Sequence, residues 1–203
     1  MTPALAQARR GFKRFNPFMV WLWRLGLGSW VNAWPQVGGR IMVLTHTGRK
    51  TGTRRRTPVN YTLSNGDVYC VAGFGPITDW YRNALVHPHV EVWLPEGWWA
   101  GEAEEVADPG ARLTLLRQVL IASGFAAYAA GIDPVGMADD ELAAATQSYR
   151  LLRIRRTEAR TGAGGPGDLA WVWPAATLGL IGAWLLRRSM RAQPGRVRKG
   201  PGE

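Results

Sequence analysis

With 203 residues and a formal net charge of +10, the chain is long enough to bury a core without covalent staples, and its charge is carried almost wholly by arginine. Its single cysteine, Cys70, excludes an intramolecular disulfide and any multi-cysteine metal site. Total charge identifies no partner, but its distribution is informative: basic residues gather at Arg9–Arg14, Arg49–Arg56, Arg150–Arg160 and Arg187–Lys199, while acids concentrate in EGWWAGEAEEVADP and at Asp139–Glu141.

The chain opens with an apolar, tryptophan-rich segment, residues 1–36, in which Asn16 can cap and Pro17 can open a helix predicted from about Pro17 to Trp30. That helix fits either packing on the domain or lying on a membrane surface. From Arg40 the pattern shifts to strands: RIMVLTHT, then TPVNYTL, an Asn65-Gly66 turn, and VYCVAG, a hairpin signal of the strongest kind. A helical TDWYRNALVH, a strand HVEVWL, a turn at Pro95–Gly97 and the strand WWAGEAEEVA follow. A helix from about Pro109 to Ser123, an Ala/Gly-rich stretch to Ile132, a short helix from Asp139 and a last strand YRLLRIRR complete residues 37–156. Short antiparallel runs with helices at their sides predict an α+β fold built on a small β-barrel.

Residues 157–168 have linker composition. Leu169–Leu186 then carries no charged side chain, has Trp171, Trp173 and Trp184 near its ends, and is followed by Arg187 and Arg188. This predicts a transmembrane helix over 169–188 ahead of a basic tail, 189–203. The expected placement is the cytoplasmic face of a membrane with a single-pass C-terminal anchor and lipid as a partner.

The stretch HTGRKTGTRRRTPVNY, His46–Tyr61, crowds Arg49, Lys50, Arg54, Arg55 and Arg56 around Gly48 and Gly52. Such a turn lets the backbone approach an anion while cations converge on it. It is not a Walker loop, and the strands that follow carry no cations, which argues against nucleic acid. Alternation along a strand sets Arg54 and Arg56 opposite Arg55, where solvent or lipid phosphate would meet them. His87-Pro88-His89 lacks carboxylate or cysteine partners and reads as a helix end running into a strand, so no metal is expected.

T-G-R-K-T-G followed by R-x-T-P, and then VAGFGPITDWYRNALVHPHVEVWL, resemble the deazaflavin-dependent nitroreductase family, which includes quinone reductases using reduced coenzyme F420. The resemblance covers about Arg40 to Arg156. It implies an FMN-binding split-barrel-like fold with flanking helices, to which the sequence adds the C-terminal hydrophobic helix. It further implies that Arg49, Lys50 and Arg55 hold the cofactor's phosphate, with Thr51, Gly52 and Pro58 beside them. Ala72, Gly73, Phe74 and Gly75 would meet the ring, with Trp80 and Tyr81 following at the family's spacing. Tyr128 matches a family tyrosine over the ring, Phe125 stands where a relative carries tyrosine, and Tyr61 and Tyr149 are further hydroxyl candidates; Tyr128 and Tyr61 are taken as catalytic. The expected function is hydride transfer from reduced F420 to an apolar acceptor such as a quinone or nitro compound. The alternatives are a non-catalytic deazaflavin-binding or membrane-associated module and an FMN-dependent enzyme on the same barrel.

Overall fold

The computed structural model describes residues 3–191. Six strands, β1 (Ile41–Thr47), β2 (Arg54–Ser64), β3 (Asp67–Ala72), β4 (His89–Leu94), β5 (Gly97–Glu105) and β6 (Arg150–Arg160), pair antiparallel in the order β1-β2-β3-β6-β5-β4 and close into a barrel. The Asn65-Gly66 hairpin forms as the sequence predicts, with φ of 50° and 85° at its two central residues and Ser64 opposite Asp67.

Side chains alternate across each strand, and the barrel buries both faces in different ways. Met42, Leu44, Val68, Cys70, Val92, Leu152 and Ile154 fill the interior. Val43 and Trp93 point outward beneath Trp23 of α1 (Pro3–Arg24), while Tyr69 and Leu151 point outward beneath Val119 of α5 (Pro109–Ala122). Continuous apolar runs in β1, β3 and β4 therefore mark covered strands. Burial of a side chain the size of Leu or Val contributes about 1.5–3 kcal/mol, so these two covers anchor their helices.

The first helix differs from expectation. It runs through Pro17, and it ends at Arg24, ahead of Trp30. Gly26, at φ 81°, turns the chain back, and a Cβ at Gly28 would lie 2.4 Å from the Trp23 ring. Met19 and Trp23, four residues apart on one helical face, are buried, whereas Phe15, Phe18 and Trp21 are exposed. Short helices α2 (Gly28–Val31) and α3 (Pro35–Gly38) lead into β1. Later in the chain, α4 (Asp79–Val86), α6 (Phe125–Ala129) and α7 (Asp139–Ala145) fill the connections between strands.

The basic run 150–160 is the strand β6, and its cations answer acids placed opposite or nearby: Arg153 pairs with Asp67 and Glu104, Arg155 with Glu102, Arg156 with Glu96 and Arg160 with Glu91. Beyond it, the segment to Asp168 is held to the barrel unit. Arg56 donates to the Gly164 carbonyl, the Gly167 N–H donates to Trp23 O at 2.9 Å, and Asp168 takes a two-pronged contact from Arg24.

Residues 169–203 form a separate unit containing α8 (Val172–Arg191). Here the sequence expectation of a single-pass anchor fails: among the described residues no helix is long and apolar enough to cross a membrane. The charge-free run begins at Leu169, but its first three residues are turn, so the charge-free helical part ends at Leu186 after about 22 Å of rise, short of a hydrocarbon core of about 30 Å. Pro174, Thr177, Gly179 and Gly182 dilute its hydropathy further. Placement at the cytoplasmic face of a membrane and lipid as a partner lose their support with it. Most of the expected basic tail, 189–203, lies outside the described residues.

Candidate functional site

The turn at 48–53 is built by its own backbone. Gly48 N–H donates to Thr53 O at 2.9 Å, Gly52 N–H donates to Gly48 O at 2.8 Å, and Gly52 adopts φ 65°. A Cβ on Gly48 would stand 2.9 Å from Thr51 Oγ1 and 3.0 Å from Arg55 Nε, so glycine there lets the Arg55 side chain cross the turn.

Three of the five clustered cations are answered by the protein. Arg54 pairs with Glu91. Arg56 lies 4.6 Å over the Trp93 ring, and burial together with the Arg54 charge lowers its pKa. Arg56 thus meets protein where solvent or lipid was expected, while Arg54, though paired with Glu91, remains largely exposed to solvent as expected. Arg49 donates to Asn83 Oδ1 from its backbone N–H at 3.1 Å and from its guanidinium at 2.8 Å, and it pairs with the Asp79 carboxylate at 3.3 Å. Lys50 and Arg55 are exposed and meet no carboxylate among the described residues; Arg55 reaches the Thr51 hydroxyl at 3.5 Å.

A second wall starts where β3 ends. β2 pairs with β1 along Arg54–Asn60, but with β3 only along Tyr61–Ser64, so its Arg54–Asn60 half shows a bare edge on that side. Pro58, lacking an N–H, sits on this edge without losing a ladder bond there. Ala72 is buried, Gly73 is open, and Phe74 is half-buried. Gly75 holds φ 66° with its absent Cβ only 2.5 Å from the Ser148 carbonyl. The Tyr149 ring lies 3.7 Å from the Cβ position of Gly73. The chain then passes through a 3-10 turn, Gly75–Ile77, into α4. The residues that hold Arg49, Asp79 and Asn83, belong to that same helix, so both walls meet at its N-terminal half.

α4 also caps the barrel interior, with Tyr81 and Ala84 in the main core and half-buried Trp80 edge-on to Tyr81 at 6.4 Å. Beneath it lies buried His46, whose Nδ1 and Nε2 stand 3.1 Å from Asn83 Nδ2 and from Thr57 Oγ1. Burial first, and the Arg55 charge second, lower its pKa to about 4, so the imidazole is neutral near pH 7. The hydroxyl candidates separate. Tyr61 is 3% exposed inside the barrel, where burial pushes its phenol up to about 12. Tyr149 is half-buried, and Tyr128 is exposed on α6 beside exposed Phe125. Two cavities, about 310 and 440 Å³, are lined by residues including His89, Glu102 and Arg155, and Thr45, Glu91 and Arg160; neither is lined by Lys50, Arg55 or Gly73. The candidate site is an open edge of the barrel.

The sequence motif brought Arg49, Lys50, Thr51, Gly52, Arg55, Pro58 and Ala72–Gly75 to notice as two separate stretches; the fold joins them through α4. It missed the holding roles of Asp79, Asn83 and His46. Their signal was the D-W-Y-x-N spacing, which puts Asp79 and Asn83 one helical turn apart on one face.

A closed antiparallel barrel with a cationic glycine turn at its bare edge is the frame of a split-barrel, cofactor-binding oxidoreductase. The chain belongs to the F420H(2)-dependent quinone reductase family, whose signature matches residues 19–138. It is accordingly an F420-dependent oxidoreductase. Among solved structures it is similar to an F420-H2 dependent reductase, FDR-A, at 22% identity over 56% of this chain and 92% of that one, with a TM-score of 0.41. A conserved hypothetical protein from Mycobacterium tuberculosis is similar at 16% identity over 68% of this chain and 90% of that one, TM-score 0.46. The HutZ heme storage protein from Vibrio cholerae is similar at 13% identity over 70% of this chain and 98% of that one, TM-score 0.45. No curated protein matches the chain.

Proposed function

We propose that the protein passes a hydride from reduced F420 to an apolar, quinone-like acceptor at the bare edge between β2 and the Ala72–Gly75 segment. The observation that carries this reading is the pair Lys50 and Arg55, exposed cations on one glycine turn that no described carboxylate answers, while Arg49, Arg54 and Arg56 beside them are engaged. Two uncompensated cations so close repel each other, and a phosphate with acidic groups behind it relieves that repulsion.

The residues fit the group. Lys50 and Arg55 bind its phosphate and acidic tail, with the Thr51 hydroxyl and the Gly52 backbone beside them. Gly73, whose missing side chain leaves the backbone approachable, and the edge of β2 at Pro58 would hold the flat ring. Reduced F420 supplies the hydride when bound. Reduction of a quinone also takes one proton, and the exposed Tyr128 hydroxyl can pass it from solvent to the acceptor oxygen. Val37 on α3 and Phe125 on α6 are exposed apolar residues on two helices that pack against each other.

The test is a fluorescence titration of the full chain with F420 and with flavin mononucleotide, followed by turnover of reduced F420 with a menaquinone-type acceptor and with a nitroaromatic. Tight F420 binding with faster quinone turnover is the expected result. Binding of neither cofactor sinks the site assignment, and nitroaromatic turnover exceeding quinone turnover sinks the acceptor.

A further inference from the structure

Arg49 is the most conspicuous cation of the glycine turn, yet its donors point away from solvent. Its guanidinium gives one bond to Asn83 Oδ1 at 2.8 Å and faces the Asp79 carboxylate at 3.3 Å and the Asp79 backbone carbonyl at 3.5 Å. Its own N–H goes to the same Asn83 Oδ1 at 3.1 Å, and its side chain is only 17% exposed. Asn83 is itself 3% exposed. Because Oδ1 accepts twice from Arg49, the Asn83 Nδ2 is the donor to His46 Nδ1; the remaining His46 N–H then sits at Nε2 and donates to Thr57 Oγ1. A single chain of bonds thus runs from the turn through α4 into the barrel and returns to β2 at Thr57, two residues from Arg55.

We propose that Arg49 acts as a positioning residue and not as a phosphate ligand: Asn83, oriented by His46, clamps it to α4, and the clamp sets the spacing between Lys50 on the turn, Arg55 on β2 and the Gly73–Gly75 segment that leads into α4. This rests on the F420 site proposed above. The physical argument is one of cost. Swinging the Arg49 guanidinium toward a phosphate would take from the buried Asn83 oxygen its charged donor and break the pair with Asp79, leaving only the Arg49 backbone N–H on that oxygen, a penalty of the same order as the charge-assisted bond gained. A fixed brace instead spares the ligand the entropy of ordering the turn.

The experiment measures F420 dissociation constants across ionic strength for the full chain, Asn83→Ala, Asn83→Asp and Lys50→Ala, with circular dichroism confirming the fold. Asn83→Ala changes no charge, so the brace predicts roughly tenfold weaker binding with an unchanged salt dependence, while Lys50→Ala weakens binding and flattens the salt dependence. Asn83→Asp keeps the acceptor oxygen for Arg49 but loses the amide donor to His46 Nδ1 and adds a negative charge, so it binds F420 more weakly than the unmodified chain. Binding by folded Asn83→Ala within twofold of the unmodified chain overturns the brace. Should Asn83→Ala not fold, amide exchange on the unmodified chain decides: the Arg49 N–H remains protected at saturating F420, and loss of its protection overturns the proposal. Unchanged binding by Lys50→Ala instead removes the phosphate site itself, so the two failures are distinguishable.

Discussion

His46 and Asn83 meet inside the mouth of the barrel, imidazole Nδ1 to amide Nδ2 at 3.1 Å, and the pair is shut away from solvent. The amide donates, so the imidazole nitrogen must carry a lone pair. A proton on that nitrogen abolishes the bond and sets two donors against each other.

That relationship gives stability a pH dependence. The His46 pKa falls from its ordinary value of 6.5 to about 4 in the folded chain, first through burial and second through Arg55, with Asp79 opposing. Between these values the unfolded chain binds the proton and the folded chain does not. Stability from this residue is therefore complete above about pH 6.5 and declines as pH falls toward 4, by about 3 kcal/mol in total. Urea midpoints at pH 7.5, 6 and 5 should fall in that order, and His46→Asn should flatten the trend. An equally steep decline in the variant would assign the effect to other groups.

Lys50→Ala is expected to weaken F420 binding by about 1.5–3 kcal/mol with an unchanged melting temperature, because an exposed cation without a carboxylate partner has no structural role to lose. Arg54→Ala serves as the contrast. Arg54 is largely exposed and spends its charge on Glu91, so its loss costs about 0–1 kcal/mol of stability and leaves F420 affinity within about twofold. Calorimetry and fluorescence titration on both variants check the pair.

Gly75→Ala should be among the most damaging small substitutions in the chain. Its φ of 66° suits glycine, and the added methyl would meet the Ser148 carbonyl at 2.5 Å. Strain of this kind costs about 1–3 kcal/mol before the steric clash is added. Gly131, at φ 78° with nothing within 4 Å of its Cβ position, is the control, and Gly131→Ala should cost about 1 kcal/mol. Equal melting temperatures for the two variants would falsify the close approach at Gly75.

The two tyrosines expected from sequence to act in catalysis should behave differently. Tyr128→Phe removes an exposed hydroxyl on α6 and is expected to lower kcat for a quinone by about tenfold. Tyr61→Phe changes a side chain enclosed by Leu44, Cys70 and their neighbours in the core, and kcat should stay within about twofold. Steady-state rates at saturating acceptor distinguish them, and a larger loss for Tyr61→Phe would reverse the assignment.

Local chemistry made the strands readable. Apolar or alternating runs between turn signals marked β1 to β6, Asn65-Gly66 demanded a hairpin because its two residues take positive φ, and the cations crowded on the glycine turn raised the expectation of an anion there. The family motif pointed to the split barrel. These features depend on residues near one another in the chain, so composition and spacing were enough. The end of α1 was not readable in this way, since Pro17 looks like a helix start until the packing of Met19 and Trp23 on the barrel carries the helix through it. The C-terminal run misled because absence of charge was visible, whereas the turn that shortens its helix was not. The largest gain from tertiary structure lies in the cations: five similar side chains in sequence become a brace at Arg49, two structural contacts at Arg54 and Arg56, and two unanswered charges at Lys50 and Arg55. Their acids and amides, Glu91, Asp79 and Asn83, lie some 30 or more residues away in sequence. Only closure of the barrel, which brings β4 beside β1 and lays α4 across its mouth, decides which cation is left for a ligand.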